Sequence, residues 1–411
     1  MDNHKWRQRG YQFADLPPHV KGYVREQLQV PPLHSETLLP SPQMSVLDLV
    51  NMDLPPITSD QENAAYSKDI PMTFSFFSTS QPINDDEILK QVVVPPKGLV
   101  AKLLDQAKQC WLDGAESLTF PGISQNLPLW SLHFWSDLHL KVNPARVSWE
   151  RALTWLQRED LNLFQDQVRA TWEALATVSW SGNLPALSPD QGHQTQFAKS
   201  ILLKFLSRDW LSDEQVDLMI YFLEAETKST LPHREIHFVD TVLWRKILEL
   251  YDADQSGRKV YDPKGTTFLH RFGAGLSEKS ELAGIFHIND NHWIAIAVDI
   301  SLQNLLYGDP AQLPTNSRII SALRWFLSCH VSSLPPDQLD DGILLCPEQS
   351  FSIDTWSCGI YCFNGLAHHF LKQYPLIQNT SSPVFGDLAR MATLQKIIER
   401  CNSIVSLAVF L

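Results

Sequence analysis

The sequence predicts an α+β fold for the C-terminal half of the chain, and three observations carry that reading. Four short apolar runs lie between Gly284 and Pro347, each of strand length and bounded by turn residues. Helical periodicities precede and separate these runs. A further helix opens at Cys358, where the polar stretch Asp354-Thr355-Trp356-Ser357 gives way to Ile360, Phe363, Leu366, Ala367 and Phe370 on one helical face. Helices flanking a short sheet fit α+β or α/β on pattern alone, over residues 196–411.

Residues 1–97 hold 12 of the 26 prolines, with pairs at 17–18, 31–32, 55–56 and 95–96. Proline pairs resist helix interiors and central strands, so this stretch is expected to be a mostly extended or disordered Pro-rich tail. Short apolar patches such as Val46-Leu47-Asp48-Leu49-Val50 interrupt it. Residues 98–195 differ in texture: Trp111, Trp130, Trp135, Trp149, Trp155, Trp172 and Trp180 appear, and helices are expected over 147–156 and 166–176. An aromatic stripe at helical spacing reads as core, so this helical Trp-rich region carries no functional assignment. Residues 181–192 read as a linker.

The last region begins with Ser212, an N-cap with Gln215 three residues on, so a helix is expected through Leu223. A second helix is expected over 241–251. His233 and His237 stand four apart and could share a helix face as zinc ligands do. With no HExxH glutamate and no cysteine pair, they read as ordinary polar histidines. Strands follow at 284–288, 292–300, 305–310 and 342–347, with Asp309 at the tip of the third and a helix over 317–328. The run after His292 alternates large and small apolar residues, which suits a strand buried on both faces.

Composition narrows the function classes. The 411 residues are 44% hydrophobic with 13 Trp and 20 Phe, enough for a substantial core. The net charge of −13 repels a phosphate backbone, so no nucleic-acid partner is expected. Six cysteines without CxxC spacing point to neither a disulfide scaffold nor a zinc ribbon, and no metal or cofactor is expected. The first residues lack the apolar core of a signal peptide, and no run is long enough to span a membrane. The expectation is an intracellular protein, nuclear or cytoplasmic.

Three side chains then stand at element ends. Cys358 sits at a helix start, where the positive end of the dipole suits an anionic nucleophile; a buried structural cysteine is the other reading. His292 starts one strand and Asp309 ends the next. If those strands are neighbours, the carboxylate can orient the imidazole while the ring holds the Cys358 proton. Taken singly, His292 is a strand-end histidine and Asp309 a turn residue before proline.

His292-Trp293, the carboxylate of Tyr307-Gly308-Asp309 seventeen residues on, and Trp356-Ser357-Cys358-Gly359 forty-nine residues later resemble the ubiquitin-like-protein-specific cysteine proteases, which process and deconjugate SUMO. The opening Trp210-Leu211-Ser212-Asp213-Glu214 is similar to that family's first helix. The resemblance covers roughly residues 200–410. It implies a papain-like fold and thiol-dependent hydrolysis after the diglycine C-terminus of a ubiquitin-like modifier, SUMO-like, or its conjugates. Cys358 would be the nucleophile, His292 the general base and acid, and Asp309 its orienting group. Trp293, Trp356 and Gly359 would lie along the substrate channel. The family's oxyanion donor is a glutamine six residues before the cysteine, where this chain has Ser352; Gln349 lies three residues further upstream. Either Gln349 reaches in from a longer loop, or Ser352 serves with the Cys358 N–H. The alternative is a weak or inactive module of the same fold that binds a modifier without cutting it, or an adaptor.

Overall fold

The computed structural model describes residues 6–7, 9–58, 75–121, 123–187, 196–289, 291–335, 339–350, 352–378 and 380–409. The chain forms two compact units, residues 1–150 and 151–411.

The first unit corrects the expectation of an extended tail. Helices α1 (Pro18–Gln27), α2 (Pro32–Leu38), α3 (Val46–Asn51) and α4 (Asp86–Gln91) lie within residues 1–97. Pro18 and Pro32 stand at the first helical position, where a missing N–H costs nothing and the fixed φ is already helical. The pairs at 17–18 and 31–32 thus open helices instead of preventing them. These helices bury Val20, Val24, Leu38, Val46, Leu49 and Leu89. Residues 1–5, 8 and 59–74 of the expected tail lie outside the described residues. Helix α5 (Lys97–Leu112) follows, with a small antiparallel sheet of β1 (Phe77–Ser78), β2 (Ser117–Leu118) and β3 (Leu127–Pro128). Trp135, on α6 (Ser131–Asp137), is fully buried and meets Phe120 edge-to-face at 5.1 Å.

The expected boundary at 195/196 is also corrected. Helices α7 (Asn143–Leu156) and α8 (Gln165–Leu175) form close to where periodicity placed them. However, α8 packs along the terminal helix of the second unit, α14 (Val384–Val409). Gln395 Nε2 donates there to the Gln167 carbonyl at 3.1 Å and to Thr171 Oγ1 at 2.7 Å. Residues 151–195 therefore share a unit with the C-terminal region. Of the expected linker, residues 188–192 lie outside the described residues, and Leu184 N–H is bonded to the Phe197 carbonyl at 2.8 Å.

The second unit is a mixed α+β domain. Its helix α9 (Asp213–Thr230) begins with the expected capping box of Ser212 and Gln215. The sheet runs in the order β4 (Glu235–Val239), β5 (Ser280–Ile288), β6 (His292–Asp299), β7 (Asn304–Gly308), β8 (Asp340–Ile343). The two outer pairs are parallel and the two inner pairs antiparallel. His237 lies on β4, so it shares no helix face with His233; parallel pairing to β5 overrides the i, i+4 spacing. Helices α10 (Thr241–Gln255), α11 (Phe268–Ala274) and α12 (Ser317–His330) enclose one core with Leu282, Phe286, Ile294, Ile296 and Val298. Ala295 and Ala297 alternate with those residues on β6, and α13 (Cys358–Phe370) packs against that strand. Every residue of β6 up to Val298 is buried, as its apolar alternation demands. Among the described residues, no helix is long and apolar enough to cross a membrane.

Candidate active site

The β6–β7 ladder pairs Ala295 with Gly308, so the next residue, Asp309, falls one step beyond the ladder on the His292 side. His292 Nε2 and Asp309 Oδ1 are 2.6 Å apart, and both residues are buried. Asp309 Oδ1 also accepts the Ala311 N–H at 2.7 Å, which fixes the carboxylate at the turn. Its Oδ2 is buried without a hydrogen-bond partner among the described residues. Cys358 lies near enough to act on the charge of the same ring. Burial opposes the charged imidazole, but the bond to Asp309, the influence of Cys358 and the Asp309 charge outweigh it and push the His292 pKa up to about 9.

Cys358 is the first residue of α13 and is a free thiol. The helix start leaves its own N–H without an intrahelical acceptor, so a backbone donor stands beside the sulfur. The preceding loop is held from within. Asp354, buried, accepts the N–H groups of Trp356 and Ser357, each at 3.1 Å, and the Tyr361 hydroxyl at 3.4 Å. A short carboxylate thus takes the place of regular structure in a stretch that has none.

The two oxyanion candidates separate clearly. Gln349 is buried, its N–H donates to the Pro310 carbonyl at 2.6 Å, and its Nε2 donates to the Asp354 carbonyl at 3.1 Å. It therefore lies between the Asp309 turn and the nucleophile loop, with Oε1 unpartnered among the described residues. Ser352 is exposed, and its hydroxyl is engaged with that of Ser350 at 3.0 Å.

Trp293 is buried, and its indole N–H donates to the Leu211 carbonyl at 3.2 Å. A Cβ on Gly359 would stand 3.3 Å from Trp293 Cδ1 and 3.5 Å from Leu211 Cδ1, so the missing side chain lets α13 approach this wall. Trp356 is half-buried, with the Arg208 guanidinium 5.3 Å from its ring centroid. Cys362 points inward, its thiol donating to the Trp293 carbonyl at 3.2 Å, and burial pushes its pKa well up. Sequence reasoning missed Asp354 as an organiser, although an Asx carboxylate three residues before the helix N-cap, Ser357, is a recognisable signal. It also missed Arg390, whose guanidinium reaches the Trp356 carbonyl at 2.8 Å from a helix that the sequence did not announce.

Residues 209–379 match the sequence profile of the Ulp1 protease family, C-terminal catalytic domain. No curated protein matches the chain. Among solved structures, the chain is similar to the yeast Ulp1 protease domain in complex with SMT3, the yeast ortholog of SUMO, at 18% identity over 57% of this chain and 95% of that one, TM-score 0.40. It is similar to a de-sumoylating protease at 14% identity over 55% of this chain and 93% of that one, TM-score 0.38. A third is the Xanthomonas campestris effector protein XopD bound to ubiquitin, at 16% identity over 50% and 95%, TM-score 0.30.

Proposed function

We propose, on the premise that residues 209–379 are a catalytic domain of the Ulp1 protease family, that the chain is a thiol-dependent peptidase or isopeptidase acting after the diglycine C-terminus of a SUMO-like modifier. The observation that carries this reading is the buried His292 ring, bonded on Nε2 to Asp309 at 2.6 Å, with Cys358 at the start of α13 near enough to act on its charge.

In this reading the thiol proton resides on His292, and Cys358 Sγ attacks the carbonyl carbon of the terminal glycine. The C–N bond breaks as His292 returns the proton to the leaving amine, which leaves a thioester on Cys358. Water, deprotonated by the same ring, then hydrolyses the thioester and frees the modifier carboxylate and the thiol. Asp309 holds the ring and offsets the imidazolium charge. The oxyanion falls to the Cys358 N–H and to Gln349, which is buried beside the loop, whereas Ser352 is exposed. Trp293 and Gly359, packed at close range, form a wall that suits a tail without side chains. The partner is accordingly a ubiquitin-like modifier and its conjugates.

The test is release of aminocoumarin from a SUMO-like modifier carrying the fluorophore on its diglycine end. Wild type is expected to turn over and Cys358→Ser to be silent; equal signals from the two would end the proposal.

A further inference from the structure

A buried guanidinium needs most of its donors met, so the groups that meet them show what it ties together; in Arg390 both Nη atoms are met, and Nε has no partner among the described residues. Arg390 on α14 is fully buried. Its Nη1 donates to the carbonyls of Lys204 at 2.9 Å and Ser207 at 2.8 Å. Its Nη2 donates to those of Asp209 at 2.7 Å and Trp356 at 2.8 Å. Three acceptors thus belong to the strand of chain leading into Leu211, whose own carbonyl holds the Trp293 indole at 3.2 Å. The fourth lies two residues before Cys358. One side chain ties the nucleophile loop to the wall facing it.

A second set of charges backs the same contact. Asp387, one turn earlier on α14 and fully buried, accepts Arg158 at 2.5 Å and Arg208 at 2.7 Å, and Arg208 covers the Trp356 ring. Burial pulls the Arg390 pKa down to about 10 against the charges of Asp387 and Asp354, so the group stays charged at neutral pH. Arg158, Arg208, Asp387 and Arg390 all lie outside residues 209–379.

We infer that Arg390 is a positioning residue for Cys358, setting the spacing between the nucleophile loop and the Leu211–Trp293 wall, so that α14 is part of the working catalytic unit. This rests on the reading of Cys358 as nucleophile. The planar fork is essential to it: four carbonyls in two directions suit a guanidinium and exceed the three donors of a lysine.

The 411-residue chain is compared as wild type, Arg390→Lys and Arg390→Met by hydrogen exchange and by turnover of the fluorogenic modifier. Exchange over residues 204–211 and 354–358 is expected to rise together by at least about tenfold in Arg390→Met, with residues 280–299 unchanged. Turnover is expected to fall in kcat by on the order of 10²-fold, with KM within about threefold, because misplacement by an ångström costs that much. Arg390→Lys should keep the fold and fall between the two. Alkylation of Cys358 by iodoacetamide should change less than about threefold, since its chemistry with His292 is untouched. Wild-type kcat in Arg390→Met, faster exchange at 204–211 alone, or uniformly faster exchange across the sheet overturns the inference. A wild type that turns over no modifier sinks the proposed function instead, and the exchange data still decide whether Arg390 ties the two segments.

Discussion

Replacing Asp309 by Asn tests the buried ion pair on which the site depends. The wild-type carboxylate sits 2.6 Å from His292 Nε2, and the ring pKa is pushed up to about 9 from 6.5. A hydrogen bond to a charged group contributes about 1.5–3 kcal/mol, which at about 1.4 kcal/mol per unit is roughly one to two pKa units. The alkaline limb of the pH–rate profile, where His292 loses its proton, should therefore move from about 9 to roughly 7–8 in Asp309→Asn. From lost protonation alone, turnover at pH 8 falls by roughly two- to tenfold; a misoriented ring would add to this. The stability sign follows from the same shift. A ring held at about 9 when folded and 6.5 when unfolded favours the fold by on the order of 3 kcal/mol. That contribution is complete below pH 6.5 and lost as pH rises through about 9. The melting-temperature gap between wild type and Asp309→Asn should be largest near pH 6 and close above pH 9. An alkaline limb in the variant within about 0.3 unit of wild type would refute the reasoning.

Gln349→Ala should lower kcat by roughly 10²–10³-fold and Ser352→Ala by less than about twofold, since only Gln349 is buried between the acid turn and the nucleophile loop. Steady-state kinetics with equal effects would exclude the assignment. Gly359→Ala places a Cβ 3.3 Å from Trp293 Cδ1, so urea denaturation should show a loss of about 1–3 kcal/mol. Gly308→Ala meets Cys346 Sγ at 2.7 Å and the Leu344 carbonyl at 2.8 Å, and should cost at least as much because a backbone atom cannot step aside. A Gly308→Ala variant as stable as wild type would contradict the β7–β8 packing.

His292, Asp309 and Cys358 were legible because each ends an element with a strong local pattern, and antiparallel neighbours in sequence became neighbours in the sheet. Strand β8 was harder. The apolar run suggested 342–347, yet the strand is Asp340–Ile343, and Ile343 is 81% exposed at the sheet edge. Along that run burial alternates, with Leu344 buried and Leu345 exposed like Ile343. Strand β4 was missed because its partner β5 lies beyond a helical crossover and its buried positions are few. Helix α14 was missed for a different reason: Asp387, Arg390 and Thr393 are buried alongside Met391, Leu394 and Ile397, so polar residues interrupt the apolar stripe. The division at 150/151 depends on α8 meeting α14, a contact between residues more than two hundred apart, as between Gln167 and Gln395. The N-terminal helices were hidden by prolines whose breaking effect applies to helix interiors, not to first turns.

The most direct test of the central claim is covalent capture at a single sulfur. Wild type and Cys358→Ser are treated with SUMO-like and ubiquitin vinyl-sulfone probes, and the adduct site is read by peptide mass spectrometry. The account predicts a SUMO-like adduct on Cys358 of wild type, absent from Cys358→Ser and slowed in Asp309→Asn. Labelling that persists in Cys358→Ser, or a wild type in which no modifier probe reaches Cys358, would contradict it.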